Sequence, residues 1–126
     1  VPAWRPKAEL IEGDRRALED WFNEPKVDEA MLVAELDARP AGCAYLVTLV
    51  DYFNRRPHAH LSVLAVAKEA ESHGVGTALL DQSVTWARDR GSDRLTLSAL
   101  VTNTRARALY ERKGFAGEYV RYVLPL

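Results

Sequence analysis

His58-Ala59-His60-Leu61-Ser62-Val63-Leu64-Ala65-Val66 is apolar nearly throughout, which is the pattern of a strand with neighbours on both sides. Shortly after it, Glu71-Ser72-His73-Gly74-Val75-Gly76-Thr77-Ala78 breaks that pattern and opens a segment of a different period. Leu79, Leu80, Val84 and Ala87 recur at helical spacing up to Gly91. From Arg94 to Leu100 the sequence alternates again, with Leu95, Leu97 and Ala99 on one face and Thr96 and Ser98 on the other. Strand, helix and strand in this order predict a parallel pair joined by a right-handed crossover.

Upstream, Met31 to Leu36 and Cys43 to Tyr52 read as two strands of a hairpin with a turn at Ala38-Arg39-Pro40-Ala41-Gly42, and Asn54-Arg55-Arg56-Pro57 makes the next turn. Ahead of them, Ala17, Leu18, Trp21 and Phe22 predict a helix over 14–22, capped by Asp14 and stopped by Pro25. Residues 1–13, with Pro2, Pro6 and Gly13, read as irregular. Downstream, a short helix is expected from Thr104 to Lys113, ended by Gly114, and a last strand from Phe115 to Leu124. The expected fold is a single α/β (α+β layered) domain over 1–126, with a mixed, mostly antiparallel sheet and helices on both faces.

Composition narrows the function. Charged residues are 28% of the chain and nearly cancel, to a formal net charge of -1, which is not the footprint of a nucleic-acid binder. No apolar run approaches the ~20 residues that span a bilayer, and Val1 to Lys7 does not lead into the apolar core of a signal peptide. The single cysteine, Cys43, forms no intrachain disulfide, and its apolar surroundings suit a buried structural thiol in a reducing, cytoplasmic setting.

Two segments carry chemistry. Glycines between a strand and a helix let backbone amides turn toward one point, and a helix N-terminus adds unpaired amides and the positive end of its dipole, which suits a phosphate. The same glycines also serve a tight turn with close packing. In Asn103-Thr104-Arg105-Ala106-Arg107-Ala108-Leu109-Tyr110-Glu111-Arg112-Lys113-Gly114-Phe115, Tyr110 follows Asn103 by two helical turns on one face. Its phenol could hydrogen-bond a ligand beside the helix, while an amphipathic aromatic at such a place more commonly packs at the edge of a core.

Taken together, these segments resemble the GNAT superfamily of N-acetyltransferases. Leu64-Ala65-Val66 and Glu71 to Gly76 line up with that family's strand end and its Gln/Arg-x-x-Gly-x-Gly/Ala loop. Asn103, Ala106, Leu109, Tyr110, Gly114 and Phe115 match its Asn-x-x-Ala-x-x-Leu-Tyr-x-x-x-Gly-Phe signature. The resemblance covers roughly 31–126 and implies transfer of an acetyl group from acetyl-CoA to a primary amine, by direct attack in a ternary complex and without a metal. It implies that backbone groups of Leu64 and Val66, flanking Ala65, pair with the pantetheine amides. Backbone amides of Ser72, His73, Gly74, Val75, Gly76 and Thr77, behind Glu71, would hold the pyrophosphate. Asn103, with Ala106 on the same helix, would meet the pantetheine arm, and Tyr110 would protonate the departing thiolate. The implied partners are a small-molecule or peptide amine and a second copy of the chain, with no nucleic acid and no membrane.

The sequence departs from that family in three places. Glu71 stands where Gln or Arg is usual, and Ser72 replaces a frequent Gly. Ser62 and Val63 occupy positions where relatives often carry carboxylates, which leaves the proton acceptor open between the nearby His58 and His60, a relayed water, and an amine that arrives unprotonated. The family's usual first strand and helix also have no counterpart, since no strand-like run precedes Trp4-Arg5-Pro6. A weak or inactive binding module of the same fold is the alternative that the Glu71 and Ser62/Val63 departures support. Asp51, Tyr52, Phe53 and Asn54 are the residues expected at a cleft mouth.

Overall fold

The structure, a computed structural model, describes residues 1–126. Its elements are α1 (Lys7–Asn23), β1 (Ala30–Leu36), β2 (Arg39–Val50), β3 (Pro57–Val66), α2 (Val75–Asp89), β4 (Leu95–Leu97) and α3 (Thr104–Arg112). They fall into two compact units, Asp14–Ser98 and Val1–Gly13 with Ala99–Leu126.

The first unit holds the sheet, in the order β1-β2-β3-β4. The pairs β1–β2 and β2–β3 are antiparallel, and β3–β4 is parallel, as the strand–helix–strand pattern predicts. Side chains alternate across a strand, so the even and odd residues of β2 serve opposite faces. Gly42, Ala44 and Leu46 face α2, where Val75, Leu79 and Leu80 complete a buried core with Ala59 and Leu61. On the other face Tyr45 meets Trp21 of α1 with ring centroids 6.0 Å apart, and the Tyr45 hydroxyl donates to the Glu29 carboxylate. Burial and that carboxylate push the Tyr45 phenol above its usual range. Helices thus cover both faces.

α2 packs tightly on the sheet at Gly42. A Cβ built there would lie 2.6 Å from the Ala65 carbonyl oxygen, 3.0 Å from Val75 Cγ1 and 3.1 Å from Leu79 Cδ1. The first of these is backbone and has no rotamer to yield.

Local sequence signals misplace several boundaries. α1 begins at Lys7 rather than Asp14, because Pro6 is well suited to a first helical turn, where its missing N–H would be unpaired anyway. Phe22 is 67% exposed and does not belong to the packed face. The first hairpin turns at Asp37-Ala38, both with positive φ, and Arg39 already pairs with Leu36. Two positive φ values in a two-residue loop match the twist of the flanking strands. Pro40 therefore lies in β2, beside a register shift and before β3 pairing begins at Gly42, so no β3 bond needs its missing N–H. Cys43 is half-buried, and its thiol is pushed up by desolvation and by the Asp14 carboxylate.

β4 keeps only Leu95–Leu97 of the expected seven-residue run, for a reason that lies in β3 and is described below. Residues 116–126 form no strand, and Tyr119, Tyr122 and Leu124 are exposed. Alternation supplies a strand's side chains, but strand pairing is a tertiary event.

Gly42→Ala is expected to destabilise the protein by about 1–3 kcal/mol, the usual effect of overpacking. It would be measured as a lower midpoint of urea unfolding at unchanged slope.

Candidate active site

The site begins with a break in register. Along β2 and β3, Tyr45 pairs with Val63 but Leu46 pairs with Leu61, so Ser62 is an extra residue on β3. This is a β-bulge, which bends the strand and interrupts the regular ladder. The parallel pairing with β4 runs through Ala59–Leu95 and His60–Thr96 and stops at Leu61–Leu97, next to the bulge. Beyond that point β3 continues to Val66 with no β4 residue beside it.

The bulge also decides which backbone groups line the open edge. The Ala67 amide donates to the Ala41 carbonyl at 2.7 Å, so Ala67 faces β2. Backbone direction alternates along a strand, and so Ala65 and Val63 also face β2, while Leu64 and Val66 face the open side. Below the bulge the Ala59 amide turns the other way and donates to Ser92 Oγ at 2.9 Å. Ser62 thus puts Leu64 and Val66 on the same side of the strand as Ala59.

β3 runs directly into the glycine-rich loop. A short 3-10 turn, Lys68–Ala70, is followed by Glu71 and then by Ser72 with φ +65°. Gly74 has φ +76° and caps α2, with no side chain bonded to the cap. A left-handed residue directly before a right-handed helix, as Gly74 is before α2, turns successive N–H groups toward a concavity that suits an anion. The first helical hydrogen bond is Ala78 N–H to the Gly74 carbonyl at 3.0 Å, so the amides of Gly74 to Thr77 lie ahead of the ladder. No acidic residue occupies the first turn of α2 to oppose its dipole. A Cβ on Gly76 would sit 3.5 Å from Val66 Cγ2, an ordinary contact that shows how close loop and strand edge lie. His73 Nδ1–H donates to the Glu71 carbonyl at 2.8 Å, which pins the loop, and the Glu71 side chain is exposed.

Leu64, Ala65, Val66 and Glu71 to Thr77 therefore come together within the first unit. A chain of alternating amides and carbonyls could add to the open edge as a further strand, leaving any attached phosphates near the α2 amides. These residues suit an extended, amide-bearing ligand with phosphates at one end, the chemistry that the resemblance to the family implies. No group of three or more His, Cys, Asp or Glu side chains is arranged to hold a metal ion.

Asn103, Ala106 and Tyr110 belong to the second unit. Asn103 caps α3 through its side chain, whose Oδ1 accepts the Ala106 amide at 3.2 Å. Tyr110 packs against Phe115 at 6.0 Å between centroids, and the Phe115 amide returns to the Tyr110 carbonyl at 3.0 Å. Burial raises the Tyr110 phenol pKa, so the group is a neutral hydroxyl donor at neutral pH.

At the far end of β3, Asp51 Oδ2 accepts the amides of Phe53 and Asn54, each at 2.9 Å. Those bonds, that of Asn54 first, hold its carboxyl below the usual range, and Arg94 lies 3.4 Å from Oδ1. Tyr52 and Phe53 stack edge to face and stay exposed. Thr96 and the extra residue at Ser62 escaped sequence reasoning. The alternation of 94–100 puts Thr96 on a polar face, but only the parallel register sets it beside His60.

The chain shares its fold with an aminoglycoside 6′-N-acetyltransferase of Acinetobacter haemolyticus, with a TM-score of 0.67 and 20% identity over 97% of this chain and 83% of that one. It also shares it with a ribosomal-protein-alanine N-acetyltransferase of Brucella melitensis, with a TM-score of 0.68 and 20% identity over 94% of this chain and 89% of that one. Residues 2–115 match the model of the Acetyltransferase (GNAT) family, and the chain belongs to that family. A mycothiol acetyltransferase of Propionibacterium freudenreichii subsp. shermanii is 33% identical over 80% of this chain and 31% of its own length. That of Jonesia denitrificans is 33% identical over 90% of this chain and 36% of its own length. The chain thus spans about a third of the length of these relatives.

Ser72 holds a left-handed conformation, which costs a residue with a Cβ about 1–2 kcal/mol, part of which a glycine regains through its own greater freedom when unfolded. Ser72→Gly is expected to raise stability by about 0.5–1 kcal/mol, measured by chemical denaturation.

Proposed function

We propose that this chain is the acetyl-CoA-binding and catalytic body of an N-acetyltransferase that moves an acetyl group to a primary amine. The observation that carries the reading is the open edge at Leu64 and Val66, continuous with the amide-lined start of α2. On this reading the pantetheine amides pair with Leu64 and Val66, and the pyrophosphate rests on the amides of Ser72 to Thr77. Attack is direct, within a ternary complex. The carbonyl oxygen gains charge as the amine adds, and a backbone donor on the open edge stabilises it. Asn103 and Tyr110 keep the roles that their motif gives them: contact with the pantetheine arm and protonation of the leaving sulfur. A phenol whose pKa is raised by burial holds its proton until a thiolate forms beside it.

The acceptor is a small-molecule or peptide amine. Proteins of this fold are named for acceptors as different as an aminoglycoside and a ribosomal protein's alanine, and the amine is what those acceptors share. No helix is long and apolar enough to cross a membrane. We assign the chain to the cytoplasm, where its lone thiol stays reduced, and homodimerisation is part of the same proposal.

Release of free thiol from acetyl-CoA, followed across a panel of primary amines, tests this function. Amine-dependent release is expected, and its absence with every amine in a folded sample would overturn it. Within the same assay Tyr110→Phe is expected to lower kcat by about 10²–10⁴-fold with little change in CoA affinity. A second prediction concerns the loop. Glu71→Arg is expected to tighten CoA binding about tenfold, which corresponds to ~1.4 kcal/mol, because a carboxylate beside the pyrophosphate becomes a guanidinium that pairs two of its oxygens. The gain should shrink as salt rises. Calorimetry at two ionic strengths measures it, and unchanged affinity would remove residue 71 from the phosphate site.

A further inference from the structure

We propose that Thr96 is a positioning residue for removal of the acceptor amine's proton: its hydroxyl holds the His60 ring with Nδ1 bonded and the Nε2 lone pair open, while His58 fixes the hydroxyl from the other side. The inference rests on the acetyl-transfer reading above and names its proton acceptor.

His58, His60 and Thr96 share one face of the sheet, since Thr96 is the parallel partner of His60. The Thr96 hydroxyl has three neighbours: His60 Nδ1 at 2.8 Å, His58 Nε2 at 3.1 Å and the Ala59 carbonyl at 3.5 Å. A hydroxyl has one proton and two lone pairs. The carbonyl can only accept, so it takes the proton, and both imidazoles then donate to the oxygen. This is the one assignment that uses all three contacts.

The assignment also explains an otherwise odd nitrogen. His58 is 8% exposed, and its Nδ1 is buried without a partner. If Nε2 carries the ring proton, Nδ1 is a bare lone pair. A buried acceptor left unpaired is tolerated more readily than a buried N–H without an acceptor. His60 Nδ1–H, bonded to the same oxygen, leaves Nε2 as that ring's lone pair. His58 Nδ1 is the only buried side-chain polar atom without a partner, so His60 Nε2, which also has none in the protein, reaches solvent.

The surroundings keep this lone pair available. Across from His60 and His58, β2 presents Val47 and Leu49, and β4 presents Thr96. Asp51, whose carboxyl feels His58, is already engaged by Arg94 and by two backbone amides. Burial first, and then the neighbouring His58, lower the His60 pKa below that of a free imidazole, so the neutral form predominates at pH 7. The His60–Thr96 pair is the last before Leu61–Leu97, where the two strands part. It therefore stands at the closed end of the opening assigned to the thioester.

The step balances. The amine N–H proton passes to His60 Nε2 as the nitrogen pair forms the C–N bond to the thioester carbonyl carbon. The C–S bond breaks with its pair on sulfur, and the thiolate takes the Tyr110 proton. The imidazolium returns its proton to water, and Tyr110 recovers one from it.

The test uses the full chain in two arms. In the first, ring nitrogens of the 15N-labelled protein are read by NMR across pH, with His60→Gln used for assignment. The wild type is expected to show neutral His60 as the Nδ1–H tautomer, titrating below the ordinary imidazole value. In the second, kcat/KM is followed across pH with acetyl-CoA and an amine from the panel above. Its acid limb is expected at the titration midpoint of His60. Thr96→Val is expected to lose the tautomer preference and to lower kcat by roughly 10–100-fold, the effect typical of a group that orients a reacting one, with the KM for acetyl-CoA unchanged. Thr96→Ser restores both. Neutral His60 found as the Nε2–H tautomer in the wild type overturns the proposal, and this decides the matter even where Thr96→Val fails to fold. An acid limb away from the His60 midpoint, or full kcat in a folded Thr96→Val, overturns it while leaving acetyl transfer intact. Absence of turnover with every amine overturns the acetyl-transfer reading itself, and the role of Thr96 with it.

Discussion

One extra residue on β3, Ser62, governs the arrangement of the first unit. Without it, Leu61 and Val63 would stay in one alternation, and the backbone of Leu64 and Val66 would point at β2 instead of away from it. With it, β3 stays paired with β2 on both sides of the bulge, and its parallel pairing with β4 ends at Leu61–Leu97. The freed edge is a liability in most sheets, since unpaired amides and carbonyls recruit other chains. Here it is short, it adjoins the α2 N-terminus, and its chemistry is complementary to an extended, amide-bearing ligand.

The bulge is flanked by closely packed neighbours. α2 is seated at Gly42, where no larger residue fits between the Ala65 carbonyl and the side chains of Val75 and Leu79. The same seating fixes the start of α2 relative to Val66, and so the amides of the loop relative to the strand edge. On the opposite face, Trp21 against Tyr45 holds the other layer. A site built on packed strands and a packed helix is more precise than one carried by loops alone. The strained conformation at Ser72 is the local exception, and it is held by structure on either side.

The order of elements, the parallel pair and the glycine junction were all legible, because each rests on local periodicity or on residues with special backbone freedom. The Asn103–Phe115 signature was legible as well, and the structure adds that Asn103 caps α3 by accepting the Ala106 amide. Boundaries were less so. Pro6 reads as a breaker but suits the first turn of a helix. Asp37-Ala38 carries no glycine, yet both residues take left-handed conformations that a two-residue hairpin requires. The Phe115–Leu124 run has the residues of a strand, but no strand forms there.

The sequence by itself determined the order of helices and strands as far as Tyr110 and carried the family's two signatures, since periodicity, glycine placement and the Asn–Tyr motif are properties of the chain. It also placed Ser62 and Val63 where a carboxylate is often found, and so left the proton acceptor open. Only the tertiary structure decided that Ser62 bulges, that β4 stops at Leu97, and that Thr96 lies between two histidines. Register is the reason: a shift of one residue reverses every backbone and side-chain direction beyond it. That shift is set by how two strands and a helix pack together, which no single segment encodes.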